Sequence, residues 1–583
     1  MNFLDHAPRF LFFTGKGGVG KTSIACAAAL HLAAAGRRVL LVSTDPASNV
    51  GQVFGVRVGN TITPVPGVPG LEALEIDPEQ AAAAYREKIV GPVRGLLPEA
   101  EIASITEQLS GSCTTEIASF NEFTGILADG TIGERHDHVL FDTAPTGHTI
   151  RLLQLPGDWT SFLDAGKGDA SCLGPLSGLE KQRNTYAAAV AALADPARTR
   201  LVLVARAQES GLAEVARTHE ELARIGMTEQ HLVLNGLMPA GEDPLVVAVR
   251  AREQAALAGL PPVLAGLPRD EVALRPQNMV GLDALRSLLD HDAPEPAPSA
   301  LPAELDLPGL DRLVDELAAQ DHGLVMCMGK GGVGKTTVAA AVAVALAHRG
   351  HDVHLTTTDP AAHLSETLAG EVEHLTVSRI DPEQAVAAYR GRVLASKGRN
   401  LDETGRAQLA EDLLSPCTEE VAVFHEFSQA VNESRRRFVV MDTAPTGHTL
   451  LLLDATGSYH REIARSMGEG FSYATPLMRL QDPELTKLVL VTLAETTPVL
   501  EATRLQEDLE RADLHPWAWV VNHSVAAAAP GSAFLQERAR AELEQIRAVQ
   551  DRSPRTAVIP LLAEEPVGET ALARLAGPAA VRT

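Results

Sequence analysis

The sequence predicts two tandem α/β domains, each a mostly parallel sheet covered on both faces by helices. Three observations predict it. A long stretch occurs twice, apolar runs alternate with helical stretches inside each copy, and each copy opens with a glycine-rich loop between a strand and a helix. The duplication is the plainest of these. "DTAPTGHT" stands letter for letter at 142–149 and at 442–449. "FTGKGGVGKTS" (13–23) matches "CMGKGGVGKTT" (327–337), and "STDPAS" (43–48) matches "TTDPAA" (357–362). "IDPEQAAAAYR" (76–86) matches "IDPEQAVAAYR" (380–390), and "CTTEIASFNEF" (113–123) matches "CTEEVAVFHEF" (417–427). The motif order is the same in both copies, and the repeat is far too long for a solenoid unit. The expected division is a first domain over 1–290, a linker over 291–320 and a second domain over 321–583. The linker call rests on "HDAPEPAPSALPAELDLPG" (291–309), whose Pro, Ala and acidic content suits a semi-stiff extended segment. An ordered, docked segment is the other reading of that stretch.

The strands follow in order. In the first half they are "RFLFFT", "RVLLVST", "LEALEID", "HVLFDT", "RLVLVA" and "HLVLNG". In the second they are "LVMCM", "VHLTTT", "LTVSRI", "FVVMDT", "LVLVT" and "WAWVVN". Continuous apolar runs of this kind are expected of strands buried on both faces, the condition of a parallel sheet.

After the first strand of each half comes the pattern GxxxxGK[ST]. It is Gly15, Lys16, Gly17, Gly18, Val19, Gly20, Lys21 and Thr22, running into Ser23, and again Gly329, Lys330, Gly331, Gly332, Val333, Gly334, Lys335 and Thr336, running into Thr337. Glycines let backbone N–H groups converge on phosphate oxygens. Lys21 and Lys335 are expected on the β- and γ-phosphates, and the hydroxyls of Thr22 and Thr336 on Mg²⁺. ATP and Mg²⁺ are therefore the expected cofactors. The extra lysines, Lys16 and Lys330, give "GKGGVGK", which resembles the deviant P-loop ATPases that work as face-to-face dimers. That likeness implies a pseudo-twofold dimer within one chain, each extra lysine reaching the nucleotide of the other half.

Asp45 and Asp359 follow Lys21 and Lys335 at the same spacing, each after an apolar strand. A carboxylate there is placed to orient the attacking water. An Asx turn made by Asp-Pro is the alternative. Asp142 and Asp442 end strands and are expected to hold Mg²⁺ or its water.

The chain has five cysteines. Cys26 and Cys327 lie in apolar surroundings and read as small buried hydrophobes. Cys113 and Cys417 occupy matching polar positions expected in loops, and Cys172 lies in a Gly/Ser-rich stretch, also read as a loop, whose counterpart is Tyr473. No CxxC spacing exists, so a preformed zinc finger has no support. Three thiolates from distant segments suit a soft ion bound as the fold closes, while unrelated free thiols remain the other possibility.

Composition bounds the rest. Acidic residues outnumber basic ones 75 to 50, for a net charge of -25 in 583 residues, which opposes wrapping by nucleic acid or an anionic membrane. The N-terminus lacks a basic region followed by an apolar one, so no signal peptide is expected. No uncharged apolar run reaches the ~20 residues of a membrane span. A cytoplasmic protein without direct membrane insertion is expected.

The duplicated "GKGGVGKT", the duplicated "DTAPTGHT" and the CTxE cysteines together resemble the bacterial arsenite-translocating ATPase (ArsA) family over nearly the whole chain. The resemblance implies a catalytic subunit that couples ATP hydrolysis to arsenite and antimonite efflux through a separate membrane permease. It is then peripheral to the inner membrane when docked, with an arsenic metallochaperone as a further candidate partner. It implies that Cys113, Cys172 and Cys417 bind As(III) or Sb(III) between the halves, completed by His148, His448 and Ser415. It also places Asn235 and Asn522 on adenine. Asp142 and His148 bracket one octapeptide, Asp442 and His448 the other, so each segment is read as a switch between nucleotide and metalloid. The alternatives fit less well. An ATPase that targets tail-anchored membrane proteins is typically half this length and carries a CxxC and a Met-rich groove, whereas this chain has 9 Met and no CxxC. A partitioning or positioning ATPase is expected to show a basic surface or a terminal amphipathic helix.

Overall fold

The structure is a computed structural model. It describes the chain except residues 46–49, 95–97, 99–101, 103–105, 107–108, 110–111, 129, 144–175, 291–306, 360–363, 397–398, 400, 403–404, 407–408, 411–412, 414–416, 444–474 and 578–583. It divides into two compact units, Met1–Pro296 and Ala297–Thr583.

The first unit holds an eight-stranded sheet. Its strands are β1 (Phe10–Thr14), β2 (Val39–Ser43), β3 (Thr63–Pro64), β4 (Leu71–Glu75), β5 (His138–Asp142), β6 (Thr199–Ala205), β7 (Gln230–Leu237) and β8 (Arg269–Ala273). Their order is β3-β4-β2-β5-β1-β6-β7-β8, parallel throughout except for the short edge pair β3–β4. The second unit repeats the plan with seven parallel strands: β9 (Gly323–Met328), β10 (Val353–Thr357), β11 (Leu375–Val377), β12 (Phe438–Asp442), β13 (Thr486–Leu493), β14 (Pro516–Ser524) and β15 (Thr556–Pro560). Their order is β11-β10-β12-β9-β13-β14-β15. The two parallel, helix-covered sheets are those the apolar runs predict.

Period-two alternation explains why the strands read as continuous apolar runs. Leu11 and Phe13 of β1 enter one core with Leu140 and the helix Lys21–Ala34. Phe10 and Phe12 enter the other with Phe141, Phe120 and Phe123. Alanines dominate the helix Lys21–Ala34, and Ala25, Ala27, Ala28 and Ala29 are fully buried. Small side chains let it lie close to the sheet, which fixes the loop that feeds it. On the opposite face the Phe12 and Phe141 rings stack at 4.5 Å, and Phe123 meets both edge-on at 6.0 and 5.4 Å. Such pairs add about 0.5–1.5 kcal/mol each beyond their buried area. They seat the helix Ser112–Ala128, which carries Cys113 in its first turn. In the second unit Phe427, Ala422 and Val431 bury the corresponding helix Cys417–Glu433.

The structure adds elements that the apolar runs do not reveal. β8 alternates exposed and buried residues because it is an edge strand, and Arg269, Asp270 and Glu271 disguise it. Asp270 accepts from the backbone N–H groups of Asn2 and Phe3 at 2.8 and 2.9 Å, tying the N-terminus to that edge. β11 is shorter than "LTVSRI" predicts. Residues 310–317, expected within the linker, form the helix Leu310–Leu317 instead. Its Leu310, Leu313, Val314 and Leu317 recur at helical spacing and are buried in the second core. No described helix is long and apolar enough to cross a membrane.

Candidate functional site: two phosphate loops at the strand ends

In each unit the strand before the glycine-rich loop lies centrally, between β5 and β6 in one and between β12 and β13 in the other. Successive strands add on opposite sides of it, so the loop sits at the point where strand order reverses, where α/β sheets bind ligands. The geometry of the loop follows from its glycines. Gly15 has φ 150°, and a Cβ there would fall 2.1 Å from the Val204 carbonyl oxygen. Gly329 has φ 147°, and its Cβ would fall 2.3 Å from that of Val491. A side chain at either position would push the loop off the neighbouring strand.

The loop's far end is held by an asparagine. Asn235 Nδ2 donates to the Val19 carbonyl at 2.8 Å, and Asn522 Nδ2 to that of Val333 at 3.0 Å. Both amides lie directly beneath the loop's last glycine, Gly20 or Gly334, each at φ 90°. Lys21 Nζ donates to the carbonyls of Gly15 and Lys16 at 3.0 and 3.1 Å, and Lys335 Nζ to that of Lys330 at 3.1 Å. These ammonium groups therefore point into the curl of the loop. Helices Lys21–Ala34 and Lys335–His348 begin there, and their N-terminal N–H groups and dipoles favour an anion.

Beside each loop stands a carboxylate at a strand end. Thr22 Oγ1 donates to Asp142 Oδ2 at 2.8 Å, and Thr336 Oγ1 to Asp442 Oδ2 at 2.8 Å. Thr357 Oγ1 also donates to Asp442, at 3.2 Å. Burial pushes the Asp442 carboxyl up to about 6, against the opposing pull of the Lys335 charge and the Thr336 hydrogen bond. Its Oδ1 is buried and takes no hydrogen bond from the described residues. A buried carboxylate oxygen left unpaired beside a threonine hydroxyl fits a hydrated hard cation such as magnesium.

Asp45 and Asp359 stand one strand over. The N–H groups of Thr44 and Thr358 donate to the backbone carbonyls of Asp142 and Asp442 at 2.9 and 3.0 Å. Asp359 N donates to Thr357 Oγ1 at 3.0 Å, and Asp45 N to Ser43 Oγ at 3.4 Å. Each unit thus brings its two aspartates to neighbouring strand ends beside the phosphate loop. Thr143 and Thr443, next in "DTAPTGHT", donate through Oγ1 to the carbonyls of Phe13 and Cys327 at 2.7 and 2.9 Å. The octapeptide therefore starts bolted to the strand that feeds the loop.

Cys26 and Cys327 are fully buried, as expected. Burial, with the nearby Asp142 and Glu75 charges, pushes the Cys26 thiol up, and burial with Asp442 does the same to Cys327. Burial therefore favours the neutral form of both thiols. Cys113 and Cys417 fall in the first turns of helices, whereas their polar flanks suggest loops. Cys172, His148, His448 and Ser415 lie outside the described residues.

Sequence reasoning misses several charged residues around the loops. Lys16 Nζ pairs with Glu214 Oε2 at 3.3 Å, and Lys330 pairs with Glu501. Glu253 accepts from the Met238 N–H at 3.0 Å, and Glu542 from the Ala526 N–H at 3.0 Å and from Ser524 Oγ at 2.9 Å. These two glutamates pin the turns that follow the asparagine strands. Burial raises Glu542 to about 7, opposed by Arg538 and its two hydrogen bonds. "LAEVAR" and "VLEATR" place Glu214 and Glu501 at matching positions, a repeat too short to stand out from the surrounding helix.

Two sheets of this topology, each with a complete phosphate loop and strand-end aspartates, define a tandem P-loop nucleotide hydrolase. The chain belongs to the family described as "Anion-transporting ATPase", whose profile matches residues 8–291, 322–470 and 471–578. An "Arsenical pump-driving ATPase" of Escherichia coli is 61% identical over 584 residues, covering 99% of this chain and 100% of that protein. One of Acidiphilium multivorum is 61% identical over 577 residues, covering 97% and 98%. "ATPase GET3" of Eremothecium gossypii is 32% identical over 258 residues, covering 40% of this chain and 73% of that one. The family read from the motifs is thus the right one, and the chain is an ATP hydrolase.

Proposed function

We propose that this ATPase drives extrusion of arsenite and antimonite through a membrane permease. The observation that carries the proposal is full-length likeness to proteins named arsenical pump-driving ATPases. The two units pair face to face, so that Lys16 and Lys330 each reach the nucleotide of the other half. Lys21 and Lys335 bind the β- and γ-phosphates within the loop curls. Asp45 and Asp359 orient the attacking water, and Asn235 and Asn522, whose amides brace the loops, contact adenine with their remaining polar atoms. Thr22 with Asp142, and Thr336 with Asp442, hold magnesium, which when bound neutralises charge on the phosphates. The acidic protein works in the cytoplasm and meets the membrane through its permease, receiving metalloid free or from a metallochaperone.

Cys113, Cys172 and Cys417 bind trivalent arsenic or antimony, with His148, His448 and Ser415 completing the sites. Two features support this choice of cysteines: the burial of Cys26 and Cys327, and the matching helix starts of Cys113 and Cys417. The test is serine at each of the five positions, followed by antimonite titration of the ATPase rate. Losing one of three soft donors should raise the half-saturating concentration by at least the roughly 10–100-fold that even an outer-shell partner is worth. Cys26→Ser and Cys327→Ser should leave it near the wild-type value. A shift with Cys26→Ser as large as with Cys172→Ser contradicts the assignment.

A further inference from the structure

The second lysine of each phosphate loop has a partner inside its own unit. Lys16 Nζ lies 3.3 Å from Glu214 Oε2, and Lys330 Nζ pairs with Glu501. The two glutamates occupy the same position in equivalent helices, Glu209–Arg224 after β6 and Thr496–Arg511 after β13. Each of those strands borders the strand that feeds the loop. The carboxylates are the buried members of the pairs: the Glu214 side chain is 13% exposed and that of Glu501 6%, against 37% and 20% for the lysines. A carboxylate so far from water is stabilised by a nearby cation, and drawing that cation away costs free energy.

The same lysines are tied to the catalytic ones through the backbone. The carbonyls of Lys16 and Lys330 accept from Lys21 Nζ and Lys335 Nζ, both at 3.1 Å. A phosphate that claims the ammonium of Lys21 or Lys335 competes directly with that bond, and so loosens the segment carrying the second lysine.

We propose that Glu214 and Glu501 are positioning residues that hold Lys16 and Lys330 in a resting place within their own unit. Nucleotide and closure of the two halves must draw the lysines out of it. This rests on the reading above that the second lysines serve the opposite nucleotide. The glutamates set the energetic cost of that exchange, and so keep hydrolysis low until the halves close. The Lys330–Glu501 pair is the more buried, so the second unit is held more firmly.

The test uses the purified full chain without metalloid. Glu214→Gln and Glu501→Gln keep shape and remove charge. Both should raise the metalloid-free ATPase rate several-fold, Glu501→Gln more. In a Lys330→Met background Glu501→Gln should add nothing. Acylation of Lys330 by an amine-directed reagent, mapped by mass spectrometry, reads the pair without turnover and should quicken several-fold in Glu501→Gln. Should that variant not fold, Glu501→Asp, with a carboxylate one methylene short of the lysine, should show the same two increases at smaller size. An unchanged or lower metalloid-free rate, a rise that survives Lys330→Met, or unaltered acylation overturns the proposal. Antimonite stimulation of the wild type is read separately. Its absence defeats the proposed function, while the metalloid-free comparison still decides the role of the glutamates.

Discussion

Lys335→Ala should remove more than half of the metalloid-stimulated ATPase activity, and Lys21→Ala should do the same. Both ammonium groups are buried in the curl of a complete phosphate loop, held on its carbonyls. In the proposed site each meets the γ-phosphate, where charge accumulates in the transition state. If the two sites turned over independently, losing one would leave the other's full contribution. In the proposed closed state each site depends on its partner, so the loss should exceed a single site's share. Steady-state rates at saturating antimonite, with thermal melts as a check on folding, decide it. Normal stimulated activity in either variant contradicts coupling between the sites.

Asp45→Asn and Asp359→Asn should each cut single-turnover hydrolysis in their own unit by about 10²–10⁴-fold, the usual worth of a positioned acid or base. Nucleotide affinity should change little, because in the proposed site the loop and Lys21 or Lys335 hold the phosphates. Asparagine keeps the size of the side chain and can still form the Asx turn, so it separates water orientation from turn formation. The measurement pairs quenched-flow hydrolysis with equilibrium binding of a fluorescent ATP analogue. A fall smaller than tenfold, or an equal loss of affinity, returns these residues to a structural role.

Much of this was legible in the sequence because the physics is local. A strand buried on both faces carries a continuous apolar run through its middle, so β1, β2, β5, β6 and β7 announce themselves. The phosphate loop needs glycine where φ is positive and a strand's carbonyl presses close, as at Gly15 and Gly329. Edge strand β8 hides behind Arg269, Asp270 and Glu271 because an edge tolerates charge. The helix Leu310–Leu317 hides behind the Pro-rich, acidic stretch before it, although its leucines have helical spacing. The ion pairs of Lys16 and Lys330 were not legible, since they depend on how a helix after β6 or β13 lies over the loop. The same holds for the asparagine brace: Asn235 and Asn522 could be placed at strand ends, but not beneath Gly20 and Gly334.

We propose that nucleotide and metalloid stabilise one closed state through "DTAPTGHT". Its first residue takes the hydroxyl of Thr22 or Thr336, and its second is bolted to the strand before the loop. Linkage makes the coupling reciprocal: if metalloid tightens ATP binding, a non-hydrolysable ATP analogue tightens metalloid binding by the same factor. The most direct measurement is a pair of equilibrium antimonite titrations, with and without saturating analogue. The expected result is tighter antimonite binding with the analogue, by a factor of roughly 5–150, shrunk by His148→Ala and His448→Ala. Equal affinity in the two titrations contradicts the account, because the metalloid would then act on the rate of a step and not on a shared closed state.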